Sequence, residues 1–292
     1  MSRSGIVAVV GKPNAGKSTL LNRIIGQKLA ITSSKPQSTR DRIVGIHTAN
    51  DVQMVILDTP GLLNPKYELQ RAMRAVALRA LTDADVIVYL ADVAEGPPPA
   101  LSEAAQLDHA PRAPVILALN KVDTLTPAQR HYLAGDNPDA ALLSAISGDG
   151  VDTLLERVAT HLPVSPYLYP DDELSTQSLR FFASELVRES ALEQLEDEVP
   201  YSIACEIEEF REGQSPIYIR AVLHVERDSQ KAIIIGAKGA RIREIGKASR
   251  AKIEALVGAP IYLDLWVKVL PNWRRDKNAL RRLGYQPEDR VT

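Results

Sequence analysis

Gly11, Lys12, Pro13, Asn14, Ala15, Gly16, Lys17 and Ser18 stand in the order G-x-x-x-x-G-K-S, with Thr19 next. Glycines at this spacing let successive backbone N–H groups curl inward around the oxygens of an anion. The apolar run Ile6–Val10 enters the loop, and Ser18–Ile25 leaves it with helix-spaced apolar residues. A helix N-terminus therefore adds its positive end to the same place. In that setting Lys17 neutralises the β- and γ-phosphates of a nucleotide, and the Ser18 hydroxyl is a ligand for Mg²⁺. The motif predicts a triphosphate site and leaves the base open.

Asn120, Lys121, Val122 and Asp123 choose the base. They follow the apolar strand Val115–Leu119, at the carboxyl end where open α/β sheets bind ligands. One carboxylate, Asp123, can accept from both N1–H and the exocyclic amine of guanine. Adenine offers a donor at neither position, which leaves a carboxylate unpaired. Lys121 can lay its stem over the base, and Asn120 can bridge to the phosphate loop. Ser144, Ala145 and Ile146, in the right order downstream, supply a short loop whose backbone amide can meet guanine O6. The expected ligands are GTP and GDP, with Mg²⁺.

Asp58, Thr59, Pro60 and Gly61 close the run Gln53–Asp58. Asp58 can hold Mg²⁺ through water, and the Gly61 amide can sense the γ-phosphate. Thr39, within Pro36–Arg40, is the candidate second hydroxyl on the metal, with Thr32 and Ser38 as rivals. Both segments are candidate switches, ordered by the γ-phosphate and released on hydrolysis. Lys17, Thr39, Asp58 and Gly61 are the expected catalytic set. Leu62 follows Gly61 where Ras-like proteins carry the glutamine that orients the attacking water. Leucine cannot do that, so slow intrinsic turnover is expected, with water placed by backbone, a partner or a monovalent cation. The hard carboxamide oxygen of Asn14 makes K⁺ a candidate. A bracing role within the loop is the competing reading of that residue.

These groups need a scaffold of alternating strands and helices. Strands are expected over Ile6–Val10, Arg42–Thr48, Gln53–Asp58, Asp85–Leu90, Val115–Leu119 and Ala140–Leu143, the second and third joined at Asn50-Asp51. Helices are expected over Ser18–Ile25, Leu69–Leu81, Ala100–Leu107 and Val151–His161. That pattern is an α/β P-loop domain, mostly parallel and flanked by helices, over residues 1–165. Pro163, Pro166 and Pro170, with Asp171 and Asp172, mark a linker over 166–176.

From 177 to 285 the order changes to an α+β pattern, and 286–292 read as a tail. A helix over Ser178–Leu195 with an acidic exposed face precedes strands Tyr201–Glu209 and Ile217–Val225. Two helical segments, Ser229–Ile235 and Arg241–Val257, then flank Gly236-Ala237-Lys238-Gly239, and strand Ile261–Leu270 closes the unit. A chain with 16 glycines yields about one G-x-x-G by accident, so the setting carries the argument. Ile235 precedes the loop, Lys238 lies inside it, and Arg241, Arg243 and Lys247 follow. The order of elements resembles a type II KH domain, whose loop clamps four nucleotides of single-stranded nucleic acid. On Ile261–Leu270, Tyr262, Trp266 and Lys268 share one face, open either to bases or to packing by the following segment.

The 292 residues carry a net charge of −2, distributed unevenly. Ser229–Gly284 holds 13 Lys and Arg against 4 Asp and Glu, while the remainder holds 22 against 33. A basic region on an acidic chain suits a polyanionic partner. One cysteine, Cys205, excludes an internal disulfide and points to a reducing compartment. The longest apolar stretch, Val86–Ala94, is too short to span a bilayer, and no cleavable leader is expected. The expectation is a cytoplasmic monomer.

A GTPase domain followed by a KH domain resembles the Era family of bacterial ribosome-assembly GTPases. The resemblance runs from Gly5 to Tyr285, through Gly11–Ser18, Pro36–Ile46, Asp58–Leu62, Asn120–Asp123 and Ile234–Ile245. It implies binding to 16S ribosomal RNA near its 3′ end, a role in maturing the 30S ribosomal subunit, and peripheral contact with the cell membrane in some members. Leucine at position 62 is shared with that family. Ser38 departs from the threonine that many members carry there.

Overall fold

The computed structural model describes residues 1–33 and 35–287. The chain forms two compact units. The first holds Met1–Pro65 and Met73–Thr176, and the second holds Lys66–Ala72 and the chain from Gln177 on. Of the expected tail, 288–292 lie outside the described residues. No helix among the described residues is long and apolar enough to cross a membrane.

From the N-terminus the elements run β1 (Arg3–Val10), α1 (Lys17–Ile25), β2 (Ile43–Ala49), β3 (Val52–Asp58), α2 (Glu68–Asp83, in the first unit from Met73 on), β4 (Val86–Asp92), α3 (Leu101–Ala105), β5 (Val115–Asn120), α4 (Pro127–Asp136), β6 (Ala141–Leu143) and α5 (Val151–His161). The sheet order is β2-β3-β1-β4-β5-β6, parallel except for β2 against β3. Strand β1 lies between β3 and β4, so the chain winds away from it in both directions. The loop after β1 therefore opens at the switch point of the sheet, where a crevice must form. The near-continuous apolar strands are buried on both faces, as a helix-covered parallel sheet requires.

Three local differences from the expected elements have physical causes. Helix α3 stops at Ala105 because Gln106 turns left-handed, and its N–H caps back onto Glu103. Helix α4 was not expected, since it buries none of its residues and has no apolar stripe. A capping box between Thr126 and Gln129, with Pro127 in the first turn, starts it instead. The proline-rich stretch over 166–176 is fastened to the sheet. Ile46 N–H donates to the Leu174 carbonyl (2.9 Å), and the Ser175 hydroxyl donates to Val44 (2.5 Å). Buried Gln53 takes the N–H groups of Leu168 and Tyr169 on its carbonyl and donates to the Tyr169 carbonyl. This segment thus covers an edge that antiparallel β2 would otherwise expose.

The second unit contains α6 (Leu179–Gln194), β7 (Ala204–Arg211), β8 (Ile217–Val225), α7 (Asp228–Ile235), α8 (Ala240–Val257), β9 (Ile261–Val269) and α9 (Lys277–Arg282). Strand β8 is central, antiparallel to β7 and parallel to β9. Ile219, Ala221, Leu223 and Val225 alternate inward from β8 onto Ala183, Val187, Ile245 and Ile253. The expected acidic face of α6 is exposed only in part, at Glu193. Glu189 is fully buried against Lys252 (2.9 Å), and Glu185 holds buried Arg188. Glu189 and Glu193 tie this helix to α8 through Lys252, while the Glu185–Arg188 pair lies within it.

Gln53→Leu removes every hydrogen bond that fastens Leu168 and Tyr169. We expect a loss of about 1–2 kcal/mol in urea unfolding and faster proteolysis within 166–176. An unchanged midpoint and cleavage pattern would refute the fastening.

Candidate functional site

The phosphate loop leaves β1 at Gly11, and α1 begins at Lys17. Lys17 is buried, and its ammonium donates to the carbonyls of Gly11 (3.2 Å) and Lys12 (2.8 Å). Burial lowers its pKa to about 8, with Asp58 pulling the other way. The Ser18 hydroxyl donates to Asp58 Oδ2 at 2.7 Å and lies 2.9 Å from the Thr39 hydroxyl. Thr39 in turn is 3.5 Å from the same carboxylate oxygen. Asp58 is fully buried at the end of β3, and burial raises its pKa to about 6 against the pull of Lys17 and the two hydroxyls. Its second oxygen, Oδ1, makes no hydrogen bond among the described residues. Two hydroxyls from separate segments, Ser18 and Thr39, thus converge on one buried carboxylate with an acceptor to spare.

That donor set fits Mg²⁺. The ion takes one or two carboxylates and hydroxyls from protein and completes its octahedron with water and substrate phosphates. Ser18 and Thr39 can serve as direct ligands and Asp58 as a partner through water.

A cleft of about 410 Å³ opens over this junction, lined by Pro13, Asn14, Thr19, Thr32, Gln37 and Lys121 among others. Asn14 stands in the left-handed region, with φ 63°. Asn120 ties the base side to the phosphate side: its amide donates to the Ala15 carbonyl (2.8 Å) and its oxygen takes the Ala145 N–H (2.9 Å). Lys121 turns left-handed and pairs with Asp92 at 2.6 Å. Asp123 is exposed, while Val122 is buried beneath it. Ser144 and Ala145 are buried, and Ile146 presents its side chain to solvent. Arg23, from α1, grips the carbonyls of Ala145 and Ile146.

Thr59 donates to the Val9 carbonyl (2.9 Å), which pins the strand end beside β1. Gly61 lies against the phosphate loop so closely that a Cβ there would sit 2.6 Å from Pro13 N. Leu62 donates its N–H to the Gly11 carbonyl (2.9 Å), but its side chain is buried in the core. Its part in the site is therefore confined to its backbone.

In the second unit Gly236-Ala237-Lys238-Gly239 forms a tight turn between α7 and α8. Gly236 has φ 70°, and a Cβ there would meet Arg241 at 2.8 Å. Lys238, itself at φ 50°, is exposed, as are Arg241, Arg243 and Lys247 along α8. Ile235, just before the loop, is half-buried and packs against the core.

Residues 6–121 match the family model described as 50S ribosome-binding GTPase, and 198–274 match the KH domain model. The chain is 44% identical to GTPase Era of Ectopseudomonas mendocina, over 98% of each chain. It is 42% identical to GTPase Era of Geobacter metallireducens, over 97% of this chain and 98% of that one. The chain belongs to the Era family of GTPases. It is a GTP-hydrolysing enzyme. A crystal structure of Era in complex with MgGDPNP and nucleotides 1506–1542 of 16S ribosomal RNA superimposes with a TM-score of 0.90, at 38% identity over 98% of this chain and 99% of that one. An Aquifex aeolicus Era variant bound to GDP·AlF4⁻ gives 0.89, at 39% identity over 97% and 99%.

Arg23 and Asp92 are the site-shaping residues that sequence reasoning missed. Arg23 carries no local motif, since its partners lie more than 120 residues away. Asp92 closes β4 at the same sheet edge as Asp58 and Asn120, which is a signal of position.

Gly61→Ala pushes a methyl group into the backbone of Pro13. We expect GTP turnover to fall at least about tenfold while the GDP complex persists, because the clash displaces the segment that meets the γ-phosphate. Wild-type turnover in a single-turnover assay would contradict the close approach.

Proposed function

We propose that the protein is a cytoplasmic switch that couples GTP binding and hydrolysis in its first unit to binding of 16S ribosomal RNA near its 3′ end by its KH domain. In this reading it assists maturation of the 30S subunit. The observation that carries the reading is the convergence of Ser18, Thr39 and Asp58, because it joins the phosphate loop to both candidate switches. The likeness along nearly the whole chain to an Era crystallised with MgGDPNP and a 16S fragment supports the choice of ligands. The family model that names the 50S subunit spans only residues 6–121 and says nothing of the KH domain.

In the proposed reaction, water attacks the γ-phosphorus, the bond to the bridging β-phosphate oxygen breaks, and GDP and phosphate leave. Lys17 and the amides of Gly11–Ser18 hold the phosphates. Bound Mg²⁺ supplies positive charge to the β- and γ-phosphates. Ser18 and Thr39 would hold the ion through their hydroxyls, and Asp58 would hold it through water. Ionised Asp58 and protonated Lys17 are each disfavoured by burial, and each gains from the charges of the bound complex. Asp123 reads guanine, and Asn120 holds the base loop at a fixed distance from the phosphate loop. With Leu62 in the core, water is placed without a side chain from that position. Asn14 offers a carboxamide to a monovalent cation beside the phosphates, which supports K⁺ as an activator.

Crosslinking to cellular RNA with a non-hydrolysable GTP analogue, with GDP, and with Lys238→Asp tests the coupling. We expect enrichment of the 16S 3′ end, strongest with the analogue and lost in Lys238→Asp. Equal enrichment under both nucleotides would reduce GTP to a structural ligand, and no enrichment would remove the RNA assignment.

The cation is tested separately. Turnover should be faster in K⁺ than in Na⁺, and Asn14→Ala should abolish the difference. Equal rates in both salts for both proteins would discard it.

A further inference from the structure

We propose that the outward face of β8 and β9 is a second RNA contact, a base-stacking platform that the strand reaches after leaving the G-x-x-G loop. The proposal rests on the RNA-binding reading above. Tyr262 and Trp266 are 59% and 54% exposed, so none of the described residues that follow packs over these rings. Tyr218 stacks on Tyr262 with centroids 5.9 Å apart and planes 12° from parallel. The Arg211 guanidinium lies 5.1 Å from the Tyr218 ring centre.

Asp264 fixes this surface from its centre. One oxygen accepts from the Tyr218 hydroxyl (2.9 Å) and from Arg220 (3.0 Å), and the other from the Trp266 indole (2.7 Å). Exposed aromatic rings ordinarily lose side-chain freedom when a ligand stacks on them. Here Tyr218 and Trp266 are oriented beforehand by one carboxylate. Flat, pre-oriented rings beside guanidinium planes match unstacked nucleobases.

The platform lies on the face of the sheet turned away from α7 and α8, because Ile261 and Val267 of β9 pack into the core with Ile245 and Ile253, so a strand held at the loop must pass around α8 to meet it. Arg243 and Lys247 stand exposed along α8, with no hydrogen bond or ion pair among the described residues. Further along, Arg250 pairs with Glu254 (2.9 Å), and Glu254 accepts the Ile261 N–H (3.0 Å), one residue before Tyr262. The 18 residues of α8 span about 27 Å, so a strand clamped by four nucleotides at the loop reaches Tyr262 only if it is longer. The Era relative carries nucleotides 1506–1542, far more than the loop can hold.

Charge separates the two regions. The cations around the rings are paired, Arg211 with Glu209, Arg220 with Asp264 and Lys268 with Glu208. The free cations at the loop and on α8 hold phosphates, while the neutral platform holds bases. Losing the platform therefore costs affinity without changing the number of phosphate contacts.

The test uses the full-length protein loaded with a non-hydrolysable GTP analogue. The probes are RNA corresponding to 16S nucleotides 1506–1542 and the shortest fragment of it that still binds. Tyr262→Ala with Trp266→Ala should raise the Kd of the long RNA about 100-fold, at about tenfold per ring. The short fragment and the salt slope should be unchanged, and phenylalanine at both positions should restore most of the loss. Wild-type affinity for both RNAs, or equal weakening of both, would overturn the platform. So would lost retention on isolated small subunits with unchanged affinity for naked RNA, which would assign the surface to a protein. Undiminished binding of both RNAs by Lys238→Asp would instead overturn the underlying reading.

Discussion

Everything in the first unit depends on a buried carboxylate at the end of β3. Asp58 accepts from Ser18 and Thr39 through one oxygen and leaves the other without a hydrogen bond among the described residues. A buried, ionised carboxylate with an unused acceptor is costly, and burial pushes its pKa up to about 6. The cost falls when a cation and its water enter. Serine from the phosphate loop, threonine from the first candidate switch and aspartate from the second thereby share one charge. Neither switch can settle without the others, which is the physical content of a nucleotide-sensing junction.

The sheet makes that junction possible. Parallel β3, β1, β4, β5 and β6 deliver Asp58, Gly11, Asp92, Asn120 and Ser144 to one edge. Asn120 then fixes the spacing across the edge by bonding to Ala15 on one side and Ala145 on the other. A single side chain therefore holds the Ser144–Ile146 loop and the Gly11–Ser18 loop at a fixed separation. In the second unit Glu185 and Glu189 pair with Arg188 and Lys252, while Lys238 in the loop and Arg243 and Lys247 on α8 stand exposed, as a polyanion site requires.

Much of this was legible in the sequence, wherever chemistry demands particular residue types at short spacing. Gly11–Ser18, Asp58–Gly61 and Asn120–Asp123 are of that kind, and so is the alternation along Ile261–Val269. Among Thr32, Ser38 and Thr39, the hydroxyl that meets Ser18 is decided by the path of the loop, which spacing does not specify. Helix α4 escaped periodicity because it buries none of its residues, although Thr126-Pro127-Ala128-Gln129 carried its start signal. The acids of α6 misled because a helix wheel shows charge and not the partner opposite, here Lys252. Arg23 and the fastening of 166–176 by Gln53 are contacts across more than 100 residues, invisible to any local pattern.

The central claim is that Thr39 senses the γ-phosphate through the metal shared with Ser18 and Asp58. The most direct measurement is the Mg²⁺ dependence of affinity for GDP and for a non-hydrolysable GTP analogue, in wild type and Thr39→Ala. The account predicts that the variant keeps its Mg²⁺-dependent GDP affinity and loses the Mg²⁺-dependent gain for the analogue. A variant that retains the full gain would contradict it.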